Sequence, residues 1–289
     1  MPVTYDLIKR VSGELFEMSL KRIPRDTLDA LQSALNLEKN ITARKNLSWM
    51  IQSARAADKD KELVCADSGV PEYFISWGTG ISIDWDIKKA VSHGYYERIE
   101  AISPPVLPHI TNPLTLKRGY RGKDVPLLTI DLIPGADYVE IICSPKGLGS
   151  GQWADLQVFS FPSLETIEGY VMDCVIRAGS QPCPPVVIGV GIGGDFDNAA
   201  RMAKEALLRP IGSRAADPFL QSMEERLLKA VNETGIGPMG TGGDTTALAV
   251  HVCYASGHGF TPVAVGFNCW VNRKMGAKVF HTGKVVYQD

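Results

Sequence analysis

Apolar positions recur at helical spacing through the first 60 residues. Leu7, Val11, Leu15 and Met18 mark one face of Thr4–Leu20, the three-to-four-residue return of an amphipathic helix. Pro24 interrupts that pattern, and Asp26 is placed to cap a second helix carrying Leu28, Leu31 and Leu35. Ile41-Thr42 opens a third, running to about Asp58, with Leu47, Ile51 and Ala54 along one side. Three such helices before any strand pattern predict an all-helical opening section whose role is support and assembly.

Beyond residue 60 the periodicity changes. Val125–Pro134 and Tyr138–Cys143 are β-rich runs separated by Gly135-Ala136-Asp137, a turn composition that predicts a hairpin. Leu164–Ala178 has helical spacing. Val186–Val190 is a continuous apolar run, the signature of a strand buried on both faces. Asp195–Leu208 and Asp217–Asn232 then predict helices, and Thr246–Cys253 and Pro262–Phe267 predict strands. The expected fold class is α+β, a helical section over 1–60 followed by a mixed α/β region over 61–289, or one continuous domain over 1–289.

Composition narrows the function classes. The 289 residues carry a formal net charge of −2, which argues against nucleic acid as a ligand. No apolar run approaches the ~20 residues of a membrane span. The N-terminus lacks the basic and apolar stretches of a secretory signal, so a cytoplasmic protein with reduced thiols is expected. The six cysteines, at 65, 143, 174, 183, 253 and 269, form no CxxC pair. Spacing alone identifies no metal site, and each cysteine by itself reads as a small buried apolar residue.

Three glycine-rich segments carry candidate chemistry. Gly189-Val-Gly191-Ile-Gly-Gly194 satisfies the dinucleotide fingerprint between a strand and a helix. The second strand with its acidic end does not follow, so a tight strand-to-helix turn is the better reading. Gly235–Thr246 lacks the lysine of a Walker A loop but offers a nest of backbone N–H groups for a carboxylate. Pro145-Lys146-Gly147-Leu148-Gly149 offers the same and a cation. Three anion-friendly loops without a nucleotide motif point to a small acidic substrate.

Several blocks taken together resemble the α region of the class I fumarate hydratase and L-tartrate dehydratase family. They are Cys65-Ala-Asp-Ser-Gly69, Pro182-Cys183 through Gly194, Ala206 through Gly212, Gly237 through Leu248, and Val263-Ala-Val265 with Asn268-Cys269-Trp270. The resemblance implies a 4Fe–4S cluster held by Cys65, Cys183 and Cys269, with Cys143, Cys174 and Cys253 left as packing residues. Three thiolates leave one iron open, and an open iron is a Lewis acid toward a hydroxyl group. The implied reaction is reversible water elimination from a 2-hydroxy dicarboxylate. Because the family places much of its machinery in a second region, the resemblance also implies a separate β subunit and an α2β2-type oligomer. Asp67 matches a family aspartate that handles a proton or touches substrate, an ordinary loop aspartate being the alternative. His258 stands near a family histidine, with a surface histidine as the alternative. Lys146, Gly147 and Gly149 match a segment whose amides approach substrate, and Asp244, Thr245 and Thr246 match a polar stretch lining the same cavity.

The chain departs from the family pattern in three places. Ala66 stands where the family has glutamine, and Val106-Leu107-Pro108-His109 lacks the arginine of a Leu-Arg-Pro motif that grips a carboxylate. Arg118 through Asp124 replaces an Asn-Thr-Gly-Asp-Asn stretch. His109, Arg118 and Arg121 are the groups available to take over. The substrate is therefore expected to be a relative of fumarate, malate or tartrate and not necessarily fumarate. A cluster-free assembly subunit and a dinucleotide-binding oxidoreductase are the competing classes.

Overall fold

The computed structural model describes residues 3–288. The opening section is three helices: α1 (Tyr5–Lys21), α2 (Arg25–Leu37) and α3 (Ile41–Asp60). Thr4 caps α1 by accepting the Leu7 N–H on its side chain, which satisfies one orphan donor of the first turn. Asp26 is not a cap. It lies inside the first turn of α2, and its Oδ2 accepts the Ile211 N–H at 2.8 Å. A long-range acceptor role displaced the local one.

The chain then runs β1 (Glu72–Gly78), α4 (Ile87–Ala101), β2 (Ile110–Thr111), β3 (Arg118–Gly119), β4 (Leu127–Ile133), β5 (Tyr138–Cys143), α5 (Leu148–Gly151), β6 (Asp155–Ser160) and α6 (Leu164–Ala178). It continues as β7 (Val186–Gly193), α7 (Phe196–Leu208), α8 (Pro218–Glu233), a 3-10 turn at Pro238–Gly240, β8 (Ala247–Ala255), β9 (Phe260–Asn268), β10 (Met275–Phe280) and β11 (Val285–Gln288). This is the expected α+β class. Among the described residues no helix is long and apolar enough to cross a membrane.

By contacts the chain divides into two units. Residues 1–24, 54–147 and 273–289 form the first, and residues 25–53 and 148–272 the second. The sequence boundary near residue 60 separates secondary-structure types along the chain, whereas these units separate packing in space, and α3 is shared between them.

The first unit holds a five-stranded sheet in the order β11-β10-β5-β1-β4. The expected hairpin of β4 and β5 does not form. β1 lies between them, parallel to β4 and antiparallel to β5. The Glu72–Gly78 strand thus takes the hydrogen bonds a hairpin would have made, and its buried Tyr73, Ile75 and Trp77 bring an apolar face to the core. α1 and α4 cover that core with Val11, Leu15, Phe16, Val91 and Tyr95. The two helices meet backbone to backbone at Gly13 and Gly94, where a Cβ on Gly94 would stand 2.0 Å from the Lys9 carbonyl oxygen.

The second unit holds a four-stranded sheet in the order β6-β9-β7-β8. Successive side chains of a strand face opposite ways. Accordingly Val186, Ile188 and Val190 pack with α6 and α8 through Val171, Val175, Leu227 and Val231, while Val187 packs with Leu207 of α7. On that second face the next two positions are Gly189 and Gly191. A Cβ there would stand 2.2 Å from the Ala203 carbonyl oxygen or 2.0 Å from that of Ala199. The dinucleotide-like glycines are therefore a strand–helix contact. Only Gly193 and Gly194, both at positive φ, make the expected turn into Asp195, which caps α7. α7 ends at Arg209, whose guanidinium meets Glu224 of α8 at 2.5 Å.

Candidate functional site

The second unit brings together Cys183, Cys269 and Gly149. Cys183 follows α6 and sits at φ 57, a left-handed conformation that costs a non-glycine residue roughly 1–2 kcal/mol. Its carbonyl accepts the Trp270 N–H at 3.1 Å, so residues 87 apart in sequence become neighbours. Antiparallel pairing of β7 with β9 explains why: Val187 lies opposite Asn268, so the entrance of β7 and the exit of β9 share one end of the sheet. The Cys183 loop is held further by the Met239 N–H bonding the Pro184 carbonyl at 2.9 Å. A Cβ on Gly149 would come within 3.0 Å of the Gln181 carbonyl oxygen, which sets Gly149 beside the same loop.

A buried amide network fixes the Cys269 turn. The Asn272 N–H donates to the Cys269 carbonyl at 2.9 Å, and Asn272 lies at φ 45. Asn268 Nδ2 donates to Asn272 Oδ1, and Asn272 Nδ2 to Thr27 Oγ1, each at 2.9 Å. All three side chains belong to buried residues, where satisfied polar groups lock a conformation. Sequence reasoning missed Thr27 and Asn272 because nothing local to either points to the other.

Cys65, Asp67, Lys146 and Gly147 belong to the first unit. Asp67 Oδ1 accepts the Gly69 N–H at 2.9 Å and meets His109 Nδ1 at 3.1 Å. Ser68 Oγ donates to the Leu107 carbonyl at 3.2 Å. Val70 and Lys146 exchange backbone bonds of 2.9 and 2.8 Å, and a Cβ on Gly147 would stand 2.9 Å from Asp67 Oδ2. Two loops and a strand end thus converge on the Asp67 carboxylate. His109, one of the three groups considered for the missing arginine, is a partner of that carboxylate. Arg121 is engaged elsewhere, with Glu100 at 2.6 Å and over the Tyr96 ring.

His258 stands apart from Cys183 and Cys269, and the Gly235–Thr246 loop is already filled. His258 is exposed at the turn before β9 and stacks on Phe260. Cys269 follows the far end of that nine-residue strand, about 30 Å away at 3.4 Å per residue. The geometry does not bring His258 to the cysteines. The Gly235–Thr246 loop is not an open nest either. The buried Glu38 carboxylate accepts the Asp244 N–H at 2.8 Å, and a Cβ on Gly243 would meet it at 2.8 Å. Thr246 is buried and its Oγ1 accepts the Gly237 N–H at 3.0 Å. The loop's anion is the chain's own, 206 residues away in sequence from Asp244. Thr245 is half-buried beside them.

Among the described residues no three His, Cys, Asp or Glu side chains lie together as a group that could hold a metal ion. Cys65 is carried by one unit, Cys183 and Cys269 by the other. Cys65 is exposed and Cys183 and Cys269 are half-buried, and none of the three is in a disulfide. Burial pushes the other three thiols up, Cys143 to about 12 and Cys174 and Cys253 in the same direction. Cys143 and Cys174 are buried, whereas Cys253 is half-buried like Cys183 and Cys269.

The chain matches the family model for fumarate hydratase (Fumerase) over residues 9–278. It is 34% identical over 276 residues to a provisionally named L(+)-tartrate dehydratase subunit alpha of Methanocaldococcus jannaschii, covering 92% of this chain and 95% of that one. The proteins of Escherichia coli K12 and Shigella boydii serotype 4 named L(+)-tartrate dehydratase subunit alpha are each 28% identical over 257 residues. Those alignments cover 88% of this chain and 84% of each relative.

Proposed function

The chain belongs to the class I fumarate hydratase family of hydro-lyases, and from that premise we propose that it is the α subunit of an iron–sulfur hydro-lyase acting on a 2-hydroxy dicarboxylate of the malate and tartrate kind. Cys65, Cys183 and Cys269 would hold a 4Fe–4S cluster through their thiolates. When bound, such a cluster supplies a Lewis acid for the departing hydroxyl.

The chain's own residues supply part of the rest. Asp67, oriented by the Gly69 N–H and by His109, would handle the proton on the neighbouring carbon as a general acid or base. Lys146 would offer a cation, and the backbone amides of Gly147 and Gly149 would approach a substrate carboxylate. A β subunit, as the relatives' name "subunit alpha" suggests, completes the enzyme in an α2β2-type assembly.

The observation that carries this reading is the Trp270 N–H to Cys183 carbonyl bond. It supports a shared role for two cysteines that no local pattern connects, one of them held in an unfavourable backbone conformation. The test is anaerobic purification with the partner subunit, followed by iron and sulfide analysis. About four irons per chain are expected, lost in each of Cys65→Ser, Cys183→Ser and Cys269→Ser but not in Cys174→Ser. Colourless, iron-free protein would instead make the chain a cluster-free assembly subunit.

A further inference from the structure

The sheet of the first unit has an open edge. β4 is the last strand in the order β11-β10-β5-β1-β4, and it pairs with β1 in continuous register over its seven residues. The Leu127 N–H donates to the Pro71 carbonyl, and the Ile133 carbonyl accepts the Thr79 N–H. Main-chain groups alternate sides along a strand, so positions 127, 129, 131 and 133 face β1. Leu128, Ile130 and Leu132 turn their N–H and C=O groups outward, where among the described residues they meet no partner.

Other strand edges of the chain are blunted. β11 is four residues long. On β8 the Glu224 carboxylate takes the Val252 N–H at 2.9 Å and Asn232 Oδ1 the Ala247 N–H at 2.8 Å. On β6, Asp155 Oδ1 takes the Leu156 N–H at 2.8 Å. Shortness, charge and coverage are what keep an edge from pairing with another chain. β4 is longer than β11, carries Asp131 as its single charge, and is apolar where it is open. Leu128, Ile130 and Leu132 share one face; Leu128 packs on the core, while Ile130 is 36% and Leu132 69% exposed.

The residues around Ile130 are complementary to themselves. A two-fold axis at Ile130 would lay β4 antiparallel to its copy, with Ile130 opposite Ile130, Leu128 opposite Leu132 and Leu127 opposite Ile133. Thr129 would stand opposite Asp131, so each carboxylate meets a hydroxyl instead of a second carboxylate. The outward residues all fall in hydrogen-bonded pairs, each exchanging both N–H···O bonds. Pro126 would face Pro134, and proline has no N–H to give, so the ladder stops at the same place on both sides. A patch that is its own complement makes an isologous contact.

We propose that β4 pairs antiparallel with β4 of a second copy of this chain about a two-fold axis at Ile130, joining two five-stranded sheets into one. This is the contact between α chains in the α2β2-type assembly, and it rests on that reading for stoichiometry alone. A cross-link reads the contact whether or not the protein holds iron or turns over substrate, so the two can fail separately.

The experiment uses the full chain purified with its partner subunit. Ile130→Cys and Leu132→Cys are each exposed to oxidised glutathione. Hydrogen-bonded antiparallel pairs hold their Cα atoms about 5.5 Å apart, inside the roughly 4.4–6.8 Å span of a disulfide. Position 132 would lie about 14 Å from its counterpart, four residues at ~3.4 Å each, although Leu132 is the more exposed. The expected result is a 130–130 disulfide, mapped by mass spectrometry to separate it from links through native Cys65, and no 132–132 disulfide. Leu132→Lys should keep the circular dichroism of wild type while halving the mass of the assembly in light scattering. Failure of Ile130→Cys to cross-link, equal cross-linking of Leu132→Cys, or an assembly mass untouched by Leu132→Lys overturns the proposal. Hydrogen exchange at Leu128, Ile130 and Leu132 that is slowed only by the partner subunit overturns it too, and gives the edge to that partner.

Discussion

Replacing Gly191 by alanine puts a methyl carbon 2.0 Å from the Ala199 carbonyl oxygen and 2.7 Å from the Ala203 nitrogen. Both obstacles are main-chain atoms of α7, so no side chain can swing aside. An ordinary carbon–oxygen contact is roughly 3.3 Å, which requires the helix to withdraw by about 1.3 Å. Gaps of 0.5–1 Å already forfeit about a quarter to a half of a dispersion contact. The withdrawal reaches the buried face of α7, namely Ala199, Met202, Ala203, Ala206 and Leu207. Overpacking costs about 1–3 kcal/mol and occasionally more; with a rigid backbone on both sides, at least about 3 kcal/mol is expected here. Native-state hydrogen exchange of the β7 and α7 amides reads that loss directly. Gly169→Ala is the control: it lies within α6 with nothing within 4 Å of an added Cβ, and should gain about 0.5–1 kcal/mol. Unchanged β7 protection in Gly191→Ala would refute the claim that the glycines serve strand–helix packing.

Two further outcomes follow from the cysteines. At φ 57 glycine is relaxed and alanine is not, so metal-free Cys183→Gly should exceed Cys183→Ala in stability by about 1 kcal/mol; equal melting points would remove the strain argument. Burial raises the Cys143 thiol from 9.0 to about 12. The folded state therefore keeps a proton that the unfolded state loses, and the associated stability is complete below pH 9 and declines toward pH 12. The loss is on the order of 4 kcal/mol. Denaturant titrations from pH 8 upward should show this decline, with a shallower slope in Cys143→Ala, and an identical slope in the two proteins would count against it.

Helices and their ends were legible in the sequence because what makes them is local. Apolar spacing marks α1, α6 and α7, and Thr4, Ser163, Asp195 and Asp217 supply their side chains to N–H groups two or three residues on. The family resemblance, carried by the blocks around Cys65, Cys183 and Cys269, was legible for the same reason, since motif residues stand together in the chain. Tertiary structure decided the rest. A pattern of alternating residues says that β4 and β5 are strands but not that β1 lies between them, because strand order is chosen by which apolar faces close the core. A glycine-rich loop looks like an open anion nest until Glu38 arrives from the other end of the sequence to fill it. The Asp67–His109 contact likewise joins residues far apart in the chain. Electrostatic pairing depends on distance in space, and one-dimensional order carries that distance only for residues a few positions apart.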